Sequence, residues 1–571
     1  MSARDGIRTP APADVTAGLL ARRVPERPAG ARHTSALRAA APPWSGYAWA
    51  AIGATATFIA LTCWWLTQDH GVPIYDAGDH LETALLFHSM LRAGDLLGPF
   101  NHESPYPPLV FLVGALSAFV GGVNLPAPII GENLVFVTLL ALGCYQTARL
   151  LGGARAGLLA VLVVLASPLL IVQFHVFLLD APEAAVVAIS VWLLLASQDF
   201  SRVGISALAG LAVGAGLIIK VQYPSFVLGI VLIALARGGW RNRRGLVAFA
   251  VIALVLGTPW YIDHLAQFST FVRNAASNPA TAPANAPPTL SIANLTWYFW
   301  SMLNSQLLAP LFALLLGGTA WMAATLLRHR HEAWTAEWGS ASSAMVARLE
   351  LFAGAVAAWL FITLTPDHDI RYGTPLIPYL AVIATVWIVH LPRVPRCAAI
   401  AVLVLGVIAN TAGTTFGVSG RVEVPLGQLV VGGEDEANTI RFYASAGFLI
   451  YGPQHDGDVP GLLAALRRSG VRTITWGVEQ SRQPDFSFEG LLPLARIARL
   501  TPIVTETPEF GRTTRVATLI HMPVTARSPR PCTRLDDGTG VWVVRFDRAA
   551  RKLSLYCPYR HPPFYSSAAA G

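Results

Sequence analysis

Apolar runs of roughly 20 residues recur along most of this chain, separated by short polar turns, which is the pattern of helices that cross a bilayer. They cover about 47–66, 129–149, 156–174, 181–197, 204–219, 221–237, 245–262, 301–327, 349–364, 373–390 and 397–416, and predict eleven membrane spans. The remaining apolar stretch, 107–123, is shorter than a comfortable span. It is expected to lie along the outer surface or to re-enter.

The polar positions between the runs are sorted by sign. Basic residues gather at Arg149 and Arg155, at Arg202, at Arg237, Arg241, Arg243 and Arg244, at Arg328 and Arg330, and at Arg393 and Arg396. The acids fall in the alternate gaps: Asp76, Asp79 and Glu82, then Asp180 and Glu183, then Asp367 and Asp369. Arg and Lys stay cytoplasmic in short loops. The arginine turns are therefore expected inside and the three acidic clusters outside. Were 107–123 to cross, every later arginine cluster would move outside while the Arg-rich N-terminal tail stayed inside. That parity favours the surface placement.

Outside the spans, residues 1–43 are rich in Ala, Pro and Arg and predict a disordered cytoplasmic tail. The first apolar run starts too late for a signal peptide and is expected to act as a signal anchor. Residues 44–416 form the membrane domain. Loop 263–300 is rich in Ala, Pro and Asn and ends in Trp297-Tyr298-Phe299-Trp300, which reads as an interfacial aromatic belt. Residues 417–571 change character. A helix at 459–469 and a strand at 471–476, a second such pair at 489–500 and 514–522, and strands at 540–546 and 552–557 predict a small extracytoplasmic α/β domain. Cys532 and Cys557 bracket the last strand pair where oxidation is allowed; a disulfide and two free thiols both fit.

Composition agrees with this class. Of 571 residues 54% are hydrophobic and 13% charged, about half the charged share of a soluble domain; mean hydropathy is +0.50. The net charge of +8 sits mostly in the inner loops and tail, and no basic stripe interleaved with aromatics offers a nucleic-acid surface. Lys220 is the one lysine of the membrane part; the other is Lys552.

Four segments could carry chemistry. Tyr75-Asp76-Ala77-Gly78-Asp79-His80-Leu81-Glu82 follows the first span, and a helix over 79–93 is expected, with Asp79 at its start. An Asp there serves as a cap, but three acids and His80 within seven residues exceed what capping needs. Asp79 and Glu82 are i, i+3 neighbours. They could hold one carboxylate as a general base or offer hard oxygens to a divalent ion, although no metal site is assigned. Tyr106-Pro107-Pro108 reads as a rigid turn into 107–123. Asp180 stands at the mouth of the bundle, as a cap or as a paired site residue. In Asp367-His368-Asp369-Ile370-Arg371-Tyr372, Arg371 is a basic residue on the outer face, suited to an ion pair with Asp367 or Asp369 and to phosphate oxygens. Lys220, at an outer turn, is either a snorkelling lysine or a second phosphate ligand.

These motifs occur in the order acidic loop, Tyr106-Pro107-Pro108-Leu109, Leu179-Asp180-Ala181-Pro182, Gly216-Leu217-Ile218-Ile219-Lys220, Pro259-Trp260-Tyr261 and Arg371-Tyr372-x-x-Pro375-Leu376-x-Pro378. The series resembles the lipid-linked-sugar glycosyltransferases of the GT-C fold over roughly 47–415. The protein O-mannosyltransferase, aminoarabinose transferase and rhizobial lipopolysaccharide glycosyltransferase types are the nearest in pattern. The resemblance implies an α-helical polytopic fold, a polyprenyl-phosphate sugar donor and an acceptor hydroxyl on an envelope glycan, lipid or protein. It also implies an outer-face site with Asp79 as base; Asp76 or Glu82 is expected to orient it, and no cofactor is expected, a divalent cation being possible but not favoured. His80, Tyr106, Asp180, Lys220, Asp369, Arg371 and Tyr372 are the residues expected to bind substrate. Three departures leave the base open between Asp79 and Asp76: the family's usual Asp-Glu is Asp79-His80, the tyrosine often found soon after it is replaced by Leu or Thr (Leu81, Thr83), and its His-Pro-Pro is Tyr106-Pro107-Pro108. A lipid or solute transporter is the alternative, though the charges sit at span ends rather than at the midplane and no repeat is evident. A membrane-anchored binding protein working through 417–571 would leave the acidic loops unexplained.

Overall fold

The structure, a computed structural model, describes residues 45–71, 73, 75–277, 288, 290–340, 342–365, 368–420, 422–427, 439–444, 459, 463 and 491–498. It also describes the strand residues 504–506, 518–520, 522–523, 539–540, 543–547 and 552–556. The tail expected over 1–43, the strand expected at 471–476, Asp367, Cys532 and Cys557 lie outside the described residues.

The helices in chain order are α1 (Gly46–Gln68), α2 (Tyr75–Arg92), α3 (Leu109–Gly121), α4 (Pro126–Leu165) and α5 (Pro168–His175). Then come α6 (Asp180–Ser197), α7 (Val203–Leu217), α8 (Pro224–Ala236), α9 (Arg243–Asp263) and α10 (Leu265–Ser277). The last are α11 (Ile292–Arg328), α12 (Ser343–Leu364), α13 (Ile370–His390), α14 (Arg393–Phe416) and the short α15 (Leu491–Ile497). Among the described residues eight helices are long and apolar enough to cross a membrane: α1, α4, α6, α9, α11, α12, α13 and α14. The apolar α3, α7 and α8 have 13, 15 and 13 residues, so each is shorter than a bilayer core of about 30 Å at about 1.5 Å per residue.

α4 is two antiparallel arms rather than one rod. At Gly153 the backbone turns to φ 81° and ψ 178°, a region essentially reserved for glycine. Beyond it the chain folds back, so that a Cβ on Gly157 would lie 2.9 Å from the Tyr145 carbonyl oxygen. In a straight helix residues twelve apart stand about 18 Å from each other. The two arms match the runs at 129–149 and 156–174, and α5 extends the second. Replacing Gly153 with Ala is expected to cost about 1–3 kcal/mol, seen as a lower melting temperature in detergent without loss of the fold.

Asn410 of α14 joins two breaks in the bundle. Its side-chain amide donates to the Ala166 carbonyl at 3.0 Å and the Leu307 carbonyl at 3.2 Å. Both carbonyls lie where regular helix is interrupted, between α4 and α5 and at the π turn Met302–Leu307 inside α11. Backbone groups freed in an apolar interior must find such partners.

Chain direction places the arginine turns at one end of the bundle. α6 ends there in Gln198, Asp199 and Phe200, three successive non-glycine residues with φ 56°, 52° and 62°. This sparsely populated geometry is held by Asn242, which donates to the Asp199 carbonyl at 2.7 Å, and by Trp338, whose indole N–H meets the Asp199 carboxylate at 2.9 Å. Arg237 adds bonds of 2.9 Å to the carbonyls of Ala333 and Ala336. α7 and α8 meet at the opposite end in the turn carrying Lys220.

Two local expectations are corrected. α2 starts at Tyr75, so Asp79 lies a full turn inside the helix and does not cap it. Of the four aromatics at 297–300, Trp297 and Tyr298 are buried and pack on His368 with ring centroids at 5.2 and 5.7 Å. They support the loop before α13 instead of forming a lipid-facing belt. Further along, Glu423–Pro425 pairs antiparallel with Thr439–Arg441, a pair the sequence pattern did not predict, and Val543–Asp547 pairs antiparallel with Lys552–Tyr556, close to the strands expected at 540–546 and 552–557.

Candidate active site

The site forms where α2, the turn before α3, the start of α6, the α7–α8 turn and the start of α13 meet. Asp180 is the first residue of α6, and its side chain turns to Lys220 rather than to its own helix. The ammonium lies 2.5 Å from Asp180 Oδ1, and both side chains are buried. Glu183, one turn further into α6, accepts from the Gln222 amide at 3.0 Å. Burial pulls the Lys220 ammonium down, but Asp180 and Glu183 outweigh it and hold it at about 12. Lys220 therefore carries its charge at any physiological pH. It also lies over the Tyr372 ring, 5.3 Å from the centroid.

Arg371 joins α13 to α2. Asp369 accepts from the Arg371 backbone N–H at 2.8 Å and from its Nε at 2.9 Å. The far end of the guanidinium donates to Asp76 Oδ2 at 2.7 Å. Burial raises the Asp76 carboxyl, but the Arg371 charge and hydrogen bond outweigh it and hold it below its usual range. Tyr298 donates from below to the Asp369 carbonyl at 3.3 Å.

His80, one turn after Asp76, is buried edge-on to Tyr106 at 5.3 Å between ring centroids. Burial pushes its imidazole down to about 4, so the ring is neutral at physiological pH. The Tyr106 hydroxyl stands in the field of Lys220, Asp76, Asp180 and Arg371, and burial raises its pKa. The Leu109 N–H at the start of α3 donates to the Ile218 carbonyl at 3.2 Å, which ties the Tyr-Pro-Pro turn to the lysine turn.

The structure thus brings together Asp76, His80, Tyr106, Asp180, Lys220, Asp369, Arg371 and Tyr372. Asp79 is exposed on the same helix, between Asp76 and Glu82. Glu82 does not turn toward the cations; it accepts from Arg496 of α15 at 2.6 Å. Arg496 and Gln222 had no local signal in the sequence, since neither lies in a patterned motif; Glu183 belongs to the acidic cluster with Asp180. Among the described residues no three His, Cys, Asp or Glu side chains gather closely enough to hold a metal ion.

Comparison with solved structures defines the class. ArnT from Cupriavidus metallidurans bound to undecaprenyl phosphate superposes with a TM-score of 0.52 at 16% identity, covering 80% of this chain and 85% of that one. The apo form of ArnT gives a TM-score of 0.45 at 19% identity, covering 65% of this chain and 66% of that one. The archaeal oligosaccharyltransferase AglB from Archaeoglobus fulgidus, in complex with an inhibitory peptide and a dolichol-phosphate, gives 0.44 at 12% identity, over 74% of this chain and 58% of its own. The chain thus spans just under two thirds of apo ArnT and little more than half of AglB. This is a multi-pass membrane protein of the GT-C fold, as the order of its motifs implied. Within that class, residues 105–262 fit the family described as dolichyl-phosphate-mannose-protein mannosyltransferase. That segment holds Tyr106, Asp180 and Lys220; the α2 acids and Arg371 lie outside it. Among curated proteins none matches the chain.

Proposed function

We propose that this protein is a glycosyltransferase of the cytoplasmic membrane. It moves a hexose or pentose from a polyprenyl-phosphate donor to an acceptor hydroxyl of an envelope glycan, lipid or protein. One observation carries the reading: two cations, Lys220 and Arg371, stand at one end of the bundle, each held by carboxylates, beside a helix that presents a further, exposed acid. A phosphate that gains charge as its bond to the sugar breaks is stabilised by fixed cations, often the largest single contribution to catalysis.

The step is a single inverting displacement. The acceptor oxygen bonds to the anomeric carbon as the bond from that carbon to the phosphate oxygen breaks. Polyprenyl phosphate leaves with the electron pair, opposite Lys220 and Arg371, and the acceptor proton passes to a carboxylate. Asp79 suits that role best. Asp76 is already bound to Arg371 and is a weak base for it. Glu82 is bound to Arg496. Asp79 is exposed where an acceptor can reach it. His80, Tyr106, Asp369 and Tyr372 shape the donor pocket, and Asp180 holds Lys220 in place. No metal or organic cofactor is required in this scheme, because the two cations supply the positive charge.

The arginine turns set the orientation. The N-terminus is cytoplasmic, and the site and the chain after α14 are extracytoplasmic. Purified protein in liposomes with a polyprenyl-phosphate sugar tests the reaction. Sugar transfer is expected; movement of lipid or solute without transfer would make the protein a transporter instead. Arg371→Ala is expected to raise the donor KM by about tenfold or more, the effect of losing a charge-assisted pair of about 1.5–3 kcal/mol. Unchanged donor KM and rate would remove its phosphate role. Mass spectrometry of envelope glycans and glycoproteins from a deletion strain identifies the sugar and the acceptor.

A further inference from the structure

α2 is held on two flanks. On one, Asp76 meets Arg371. On the other, Arg496 of α15 donates through Nε to Glu82 Oε1 at 2.6 Å, and its Nη2 contacts the same oxygen. At about 100° of rotation per residue, Asp79 lies about 60° from Asp76 and about 60° from Glu82 around the helix axis. It therefore stands between two clamped neighbours. α15 packs against α2, its Leu492, Leu494 and Ile497 are buried, and Arg496 and Glu82 are 414 residues apart in sequence. The contact excludes most water, so a charge-assisted hydrogen bond there is strong and directional.

We propose that Arg496 is a positioning residue for transfer, through which the C-terminal part of the chain fixes the turn of α2 that carries Asp79. The link to transfer rests on the function proposed above; the clamp itself does not. α3, packed on the other side of α2, carries no titratable residue. Among the described residues the charged and titratable groups around Glu82 are Asp79 on α2, Arg496 on α15 and His102 beyond Arg496, with His264 Nε2 lying 3.2 Å from the His102 carbonyl. Burial pushes the Glu82 carboxyl up to about 7, while Arg496 pulls it back and Asp79 adds to the rise. Below that pH Glu82 gains a proton and the grip weakens; above it the grip is complete. Removing Arg496 removes a lowering influence, so the ionisation moves to higher pH. By linkage, Glu82 binds more protons folded than unfolded between about 4.5 and about 7, so its own contribution to stability falls as pH rises through that window.

The test uses the full chain in liposomes. Arg496→Gln is expected to lower kcat about 10- to 100-fold, as small misplacements of reacting groups do, with donor KM nearly unchanged. The limb of kcat near pH 7 should flatten in Arg496→Gln, because ionised Glu82 then has no cation to grip, and Arg496→Lys should recover part of the rate. Wild-type kcat with an unchanged limb in Arg496→Gln would overturn the proposal. A second readout needs no activity: amide hydrogen exchange across 75–92 at pH 8 should be faster in Arg496→Gln, and unchanged protection would also overturn it. Should Arg496→Gln fail to fold, the Glu82→Gln/Arg496→Gln pair, which leaves no charge buried alone, takes its place. Faster exchange in that pair, no greater than in Glu82→Gln alone, supports the clamp; exchange equal to wild type removes it. If wild-type protein transfers no sugar, the proposed function fails, and exchange alone decides whether the clamp exists.

Discussion

Asp79→Asn is expected to abolish sugar transfer, with a fall in kcat of about 10²–10⁴-fold, the usual contribution of a positioned general base. The substitution keeps size and polarity and removes the negative charge and with it the ability to take a proton. Asp79 is exposed on α2, so the variant should still insert and fold. Donor affinity should also persist, because Lys220 and Arg371 are untouched. The measurement is single-turnover transfer with donor and acceptor in excess, beside donor binding by the same preparation. Normal turnover by Asp79→Asn would eliminate the assignment. Asp76→Asn makes an informative contrast. It loosens Arg371, to which Asp76 is bound at 2.7 Å, so it should act mainly on donor KM.

Lys220→Met is expected to have the second large effect, and on two quantities at once. It leaves the buried Asp180 without its cation, and breaking a buried pair in this way costs about 3–5 kcal/mol. It also removes one of the two positive charges proposed for the phosphate. Thermal unfolding in detergent should show the first loss, and donor binding the second. The double variant Lys220→Met/Asp180→Leu separates them. With Asp180 no longer left as a buried charge without its cation, stability should return toward wild type, while transfer stays lost. Recovery of transfer along with stability would mean that Lys220 serves only to neutralise Asp180.

Two elements show what was legible in advance and what was not. The alternation of arginine turns and acidic turns placed Asp76, Asp180, Lys220, Asp369 and Arg371 on one side of the membrane, and the structure brings these five to one end of the bundle. Membrane proteins permit this because an even number of crossings returns the chain to the same side, so sidedness follows from counting. Pairing does not follow from counting. That Lys220 meets Asp180, and that Arg371 spans Asp369 and Asp76, depends on how the ends of α6, α7 and α13 lean together. The same limit explains the aromatics at 297–300. Their composition suits an interface, but the buried packing of Trp297 and Tyr298 against His368 is set by the loop above them.

By itself the sequence determined the class of protein, its helical apolar runs, its charge sidedness and the residue types available for phosphate and proton chemistry. These follow from the lengths and signs of local segments, which the bilayer reads one at a time. Tertiary structure alone decided the reversal of α4 at Gly153, the burial of Lys220 against Asp180 and the sharing of the α2 acids among three environments. Asp76 goes to Arg371 and Glu82 to Arg496, while Asp79 lies exposed between them. Helix rotation separates residues only three apart onto different flanks, and which partner waits on each flank is settled by segments up to 414 residues away.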